Sequence, residues 1–108
     1  MADPVAQLAF IRPLPGKEDE VERHLLQLVD AAKVEDGTKV YVAHRRELEG
    51  GRVEFVFYEL FSDSDALSVH GKNPALRAFA GQAAELLDGG ITVEPLGIVA
   101  GKATALPV

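Results

Sequence analysis

The sequence predicts an α+β domain in which helices cover one face of an antiparallel sheet, the ferredoxin-like sandwich. Three observations point there. Strand, helix and turn signals run in the order strand, helix, strand, strand, helices, strand. Two of the strands are joined by a Gly-Gly turn that suits a hairpin. The chain of 108 residues leaves room for one core, so residues 1–108 read as a single domain.

The opening run VAQLAFIRPLPG is extended and apolar until Pro13, Pro15 and Gly16 stop it, which makes it a strand entering a turn. Residues 17–33 follow as a helix. Their first turn carries Glu18, Asp19 and Glu20, acids that suit the positive end of the helix dipole. Val21, Leu25, Leu28, Val29 and Ala32 then recur along one face. EDG at 35–37 ends the helix, and TKVYVAHRRELEGGRVEFVFYELF reads as two strands turning at Gly50 and Gly51.

In the second of these strands Val53, Phe55, Phe57 and Phe61 point one way while Val56, Tyr58 and Leu60 point the other. A strand apolar on both faces needs cover on both, and one layer of helices supplies only one. The pattern therefore calls for a second subunit, or for closure into a small barrel. Ser62 to Asp65 resembles a helix-opening box and Gly71 a stop. Asn73-Pro74 opens another helix whose apolar face is Leu76, Phe79, Ala80, Ala83, Leu86 and Leu87. Gly89 and Gly90 are expected to end it before a last strand in ITVEPLGIVAG, and the tail KATALPV carries no structural signal.

Composition excludes several function classes. Eleven Lys and Arg against 17 Asp and Glu leave a net charge of -6 with no basic stripe, which argues against nucleic acid and anionic membranes as partners. The absence of cysteine removes disulfides, thiolate nucleophiles and zinc-thiolate sites. No apolar segment approaches a membrane span and MADPVAQLAF lacks a basic leader, so a cytoplasmic protein is expected. GIVAGKAT lacks the spacing and the final Ser or Thr of a phosphate loop, and the three histidines have no metal-ligand spacing.

The acidic helical turn after Pro15-Gly16, EDG before the second strand, YELF closing the third, then DALSVH and NPALRAF form an ordered set. Over residues 5–100 it resembles the antibiotic biosynthesis monooxygenase family, including quinol monooxygenase-like members. The resemblance implies a homodimeric α/β barrel of two face-to-face sheets. It also implies oxidation of a small phenolic or quinol substrate by molecular oxygen with no flavin, metal or haem cofactor. Related branches degrade haem or isomerise a small phosphorylated compound. Many members have tryptophan where this chain has Phe61, and haem-degrading relatives add a strand asparagine where this chain has Ala9. Only His70 of that trio is kept, which argues against haem degradation.

A cofactor-free oxygenase needs a dry pocket, a base and something to hold an oxyanion. His70 lies one turn beyond Ala66 and Leu67 and faces the sheet. Histidine suits the base role because its ordinary pKa is about 6.5. Glu59 shares a strand face with Phe55, Phe57 and Phe61. It is expected to orient His70, to accept the proton itself, or to be held in a salt bridge by Arg12, Arg45 or Arg77. Catalytic candidates are thus His70 and Glu59, and candidates for the substrate wall are Phe55, Phe57, Phe61 and Tyr41. His44, Arg45 and Arg46 read as a solvated strand edge, with anion binding as the alternative. His24 reads as surface and Tyr58 as packing. Besides the monooxygenase, a proton-transferring isomerase and a non-catalytic binding dimer fit the same residues.

Overall fold

The computed structural model describes residues 3–103; of the tail, Thr104 onwards lies outside them. The order is β1 (Val5–Pro13), α1 (Glu18–Ala32), β2 (Thr38–Glu47), β3 (Val53–Phe61), α2 (Ser64–Gly71), α3 (Pro74–Gly81), α4 (Ala83–Leu86) and β4 (Leu87–Leu96). The strands form one sheet in the order β2-β3-β1-β4, antiparallel throughout. This is the ferredoxin-like arrangement expected from the element order. No helix among the described residues is long and apolar enough to cross a membrane.

Side-chain alternation sets the register. Val53, Phe55, Phe57, Glu59 and Phe61 of β3 are all buried, facing the helices. Ile11 and Ala9 of β1 lie opposite Phe55 and Phe57. Val21, Leu25 and Leu28 of α1, Phe79 of α3 and Leu86 complete the core. Each fully buried Phe or Leu contributes about 1.5–3 kcal/mol relative to an exposed one. The buried residues of α1 are Val21, Leu25, Leu28 and Ala32, four of the five residues that the spacing predicted.

The opposite face of the sheet carries no helix. Tyr58 lies between Leu8 and Val42, and Val56 between Phe10 and His44, all of them partly or fully exposed. At one end of this face Glu54 is wholly buried, with Arg12 Nε at 2.7 Å on one side and Arg46 Nε at 2.7 Å on the other. Those hydrogen bonds outweigh the cost of burial and hold the Glu54 carboxyl below the usual glutamate range.

Two local expectations are corrected. The cap of α2 is Asp63, whose side chain accepts from the Ala66 N–H at 2.8 Å, one residue beyond the Ser62 start that the box suggested. Gly89 and Gly90 do not end a helix: the helix that begins at Pro74 breaks at Gln82, and β4 already starts at Leu87. Both glycines sit inside the strand at positive φ, 82° and 74°, a conformation that side-chain-bearing residues rarely adopt. They shape the strand's entry, with a shift in the β1–β4 register beside them.

Gly37 holds the helical layer to the sheet. Its carbonyl accepts from Ser62 N–H at 2.8 Å, and a Cβ placed there would collide with the Ala66 side chain and press on Ser62 Oγ. Gly37→Ala should therefore push α2 away from the 35–37 loop and cost about 1–3 kcal/mol, as overpacking does. Urea denaturation measures this cost; an unchanged midpoint would contradict the close approach.

Candidate active site

A cavity of about 490 Å³ opens between the sheet and the helices. Its floor is Gln7, Ala9, Tyr41, Phe57 and Glu59 from the sheet, and its roof comes from Leu28 of α1, His70 of α2 and Leu76, Phe79 and Ala80 of α3. Apolar side chains make most of the wall, so the few polar groups determine the chemistry.

His70 is 5% exposed and its imidazole is clamped. Nδ1 lies 2.8 Å from Glu35 Oε1. The same carboxylate accepts from Asn73 Nδ2 at 2.8 Å and from Thr38 Oγ1 at 2.8 Å. Burial works against the Glu35 charge, but these three hydrogen bonds overcome it and hold the carboxyl below its usual range. An ionised carboxylate can only accept, so the proton of the pair sits on His70 Nδ1. In the neutral imidazole the lone pair is then on Nε2, the nitrogen on the Glu59 side.

Glu59 stands on the far side of Nε2, at 4.0 Å, beyond hydrogen-bond reach. Its Oε1 accepts from Gln7 Nε2 at 2.8 Å. Burial pushes its carboxyl above the ordinary glutamate value, against the pull of Gln7 and His70. The arginine salt bridge expected for Glu59 is absent: Arg12 goes to Glu54 and Arg45 to Glu22, and Arg77 forms no ion pair with Glu59. The orienting of His70, expected of Glu59, falls instead to Glu35. Tyr41 stacks on Phe57 at 4.4 Å and meets His70 edge-on at 4.8 Å. Burial, reinforced by the charges of Glu59 and Glu35, raises its pKa and keeps the phenol protonated.

The structure thus brings His70, Glu59, Phe57 and Tyr41 together. It does not bring Phe55 and Phe61 to the cavity. Phe61 is wholly buried behind the imidazole, 5.1 Å from it, and Phe55 lines a separate groove beside Arg45. Strand geometry is the reason. At about 3.3 Å per residue the three phenylalanines span some 20 Å, and one cavity reaches only the middle of that length. Phe79 of α3 takes the place of the third aromatic. At the sheet edge, His44 Nδ1 contacts the Val56 carbonyl at 2.9 Å, while Arg45 and Arg46 are engaged by Glu22 and Glu54. His24 packs against Phe79 at 5.3 Å, so it is a packing residue more than free surface.

Residues the sequence reading missed are Glu35, Gln7, Thr38 and the second role of Asn73. EDG was legible as a helix stop, and Asn73 as a cap, which it is: its Oδ1 accepts from Ala75 N–H at 3.0 Å. One signal was available. A buried histidine needs an acceptor for its ring N–H, and the EDG stretch that ends α1 offers two carboxylates, Glu35 and Asp36. No group of three or more His, Asp or Glu among the described residues is arranged to hold a metal ion.

Sheet order and helical cover define a ferredoxin-like fold, with an apolar cavity and an oriented histidine as its candidate site. Residues 4–82 match the antibiotic biosynthesis monooxygenase family, and the chain belongs to it. Rv0793 from Mycobacterium tuberculosis is similar in structure, with TM-score 0.81 and 26% identity over 94% of this chain and 100% of that one. PA3566 from Pseudomonas aeruginosa gives TM-score 0.80 and 26% identity over 93% and 98%. A Caulobacter crescentus CB15 protein provisionally named an antibiotic biosynthesis monooxygenase gives 0.79 and 27% over 92% of each chain. No curated protein sequence is significantly similar.

The two carboxylates should respond to pH in opposite directions. Glu35, with a lowered folded pKa, stabilises the fold above its ordinary value of about 4.5 and loses that contribution as pH falls through its folded value. Glu35→Gln leaves buried donors without a full acceptor and should cost about 1–3 kcal/mol at neutral pH by urea denaturation. Glu59 has a raised folded pKa, so its ionisation weakens the fold as pH rises from about 4.5 through the folded value. Glu59→Gln should melt with the wild type at low pH and above it at neutral pH. A variant that melts lower throughout would contradict the strained carboxyl.

Proposed function

We propose that this protein is a cofactor-independent monooxygenase of a small aromatic, a quinol or polyketide-type phenol, working as a homodimer. The observation that carries the reading is the His70 imidazole, anchored through Nδ1 by Glu35, in the roof of a mostly apolar cavity. Family membership supports the reaction class. The uncovered apolar face of the sheet, centred on Tyr58 and Val56, supports pairing of two copies.

The chemistry follows from the groups present. His70 Nε2 takes the proton of the substrate hydroxyl, and the resulting electron-rich ring reacts with molecular oxygen. The Tyr41 phenol, kept protonated, is a hydrogen-bond donor for the developing oxyanion. One oxygen atom becomes the new carbonyl. The other leaves as water with the two hydrogens that the substrate loses, so no external reductant is needed. Phe57, Phe79 and Leu76 exclude water from the reacting ring.

A second reading rests on the same pair. His70 and Glu59, neighbours on the cavity wall, could move a proton between two carbons of a bound molecule, as an isomerase does, without oxygen. Oxygen uptake by the purified protein on hydroquinones, naphthols and anthrones separates the two. Uptake that falls about 100- to 10,000-fold in His70→Ala is expected of a general base. Full activity in that variant, or turnover that proceeds equally under nitrogen, would overturn the monooxygenase mechanism.

A further inference from the structure

Arg77 has no place in the chemistry above, yet it lies on the cavity wall. Arg77 is exposed while Glu59 and His70 are buried, so it lines the cavity on its solvent side. The other arginines near the sheet are neutralised: Arg12 and Arg46 by Glu54, Arg45 by Glu22 and Arg52 by Asp88. Arg77 is in no ion pair among the described residues. In a chain of net charge -6, a free cation at the mouth of the one apolar site described above is a local reversal of the surface field.

Its position is also tied to the reacting end. The Arg77 N–H donates to the Asn73 carbonyl at 3.0 Å, and the Asn73 side chain donates to Glu35, which holds His70. The backbone that bears Arg77 and the imidazole therefore belong to one hydrogen-bonded unit, seven residues apart. Between them the walls are carbon: Ala9, Leu28, Phe57, Leu76 and Ala80. The deep end does not suit a permanently anionic ligand group, because the buried Glu59 carboxyl already stands there. A permanent anion has its favourable place at the mouth.

We infer that the cavity takes an aromatic acid, a phenol or quinol carrying a carboxylate or similar anionic group at the end remote from its reacting hydroxyl, with Arg77 as the counter-charge. This rests on the proposed function for which end reacts, but not for whether the anion is recognised. Arg77 is in this view a specificity residue: it selects and orients the ring, and takes no part in proton transfer.

The test is a binding titration without oxygen, so that turnover plays no part. The probes are a hydroxynaphthoate with hydroxyl and carboxylate on opposite rings, and the corresponding naphthol without the carboxylate. The wild type should bind the acid roughly five- to tenfold more tightly than the naphthol, as a partly exposed charged hydrogen bond allows. That preference should shrink with added salt, vanish in Arg77→Gln and survive in Arg77→Lys. Equal binding of the two probes by the wild type, a preference that persists in Arg77→Gln, or binding of neither probe would overturn the proposal. Oxygen uptake on neutral phenols is a separate readout, so loss of the monooxygenase reading and loss of the Arg77 reading are distinguishable.

Discussion

One buried carboxylate ties the helical layer to the sheet. Glu35, its side chain 7% exposed, accepts hydrogen bonds from β2 through Thr38, from α2 through His70 and from the cap of α3 through Asn73. A carboxylate is worth burying only when its charge is fully answered. Here the three donors do so. The interaction fixes where α2 ends and α3 begins over the sheet, and so where the cavity lies. The bare glycine at 37, against which Ala66 packs, lets that carboxylate come close enough to reach the imidazole.

Around the same imidazole, two glutamates are driven apart by their surroundings. Glu35 has three donors and stays ionised; Glu59 has one, Gln7, and burial dominates. The general lesson of paired titratable groups is that environment assigns the roles. Glu35 orients, and Glu59 is the poised group beside the cavity. The fold carries the cost of a poorly satisfied carboxyl at the site, a local conflict of the kind expected where function, and not packing, selects the residue.

Much of the architecture was legible because it depends on periodicity. The 3.6-residue spacing from Val21 to Ala32 and the two-residue alternation from Val53 to Phe61 gave the helix, the hairpin and the buried face. The end of α3 was not legible, because Leu86 and Leu87 continue its helical spacing although α3 stops at Gly81, Leu86 lies in the separate α4 and Leu87 already opens β4. At the site, His70 and Glu59 stood out as polar residues on apolar faces, and they do meet. Alternation showed which face each phenylalanine shares but not how far along the strand the cavity extends, so Phe55 and Phe61 were grouped with Phe57. Glu35 was hidden because two of its three partners, His70 and Asn73, come from 35 and 38 residues away, contacts that no local pattern reports.

The central claim is that Glu35 holds the Nδ1 proton of His70 and leaves Nε2 as the base. Nitrogen NMR of the His70 ring at neutral pH reads this directly, since protonated and unprotonated imidazole nitrogens have distinct shifts. A protonated Nδ1 and a bare Nε2, with that preference relaxed in Glu35→Gln, is the expected result. A bare Nδ1 with the proton on Nε2 would contradict it, because the nitrogen on the Glu59 side would then have no lone pair to accept a substrate proton.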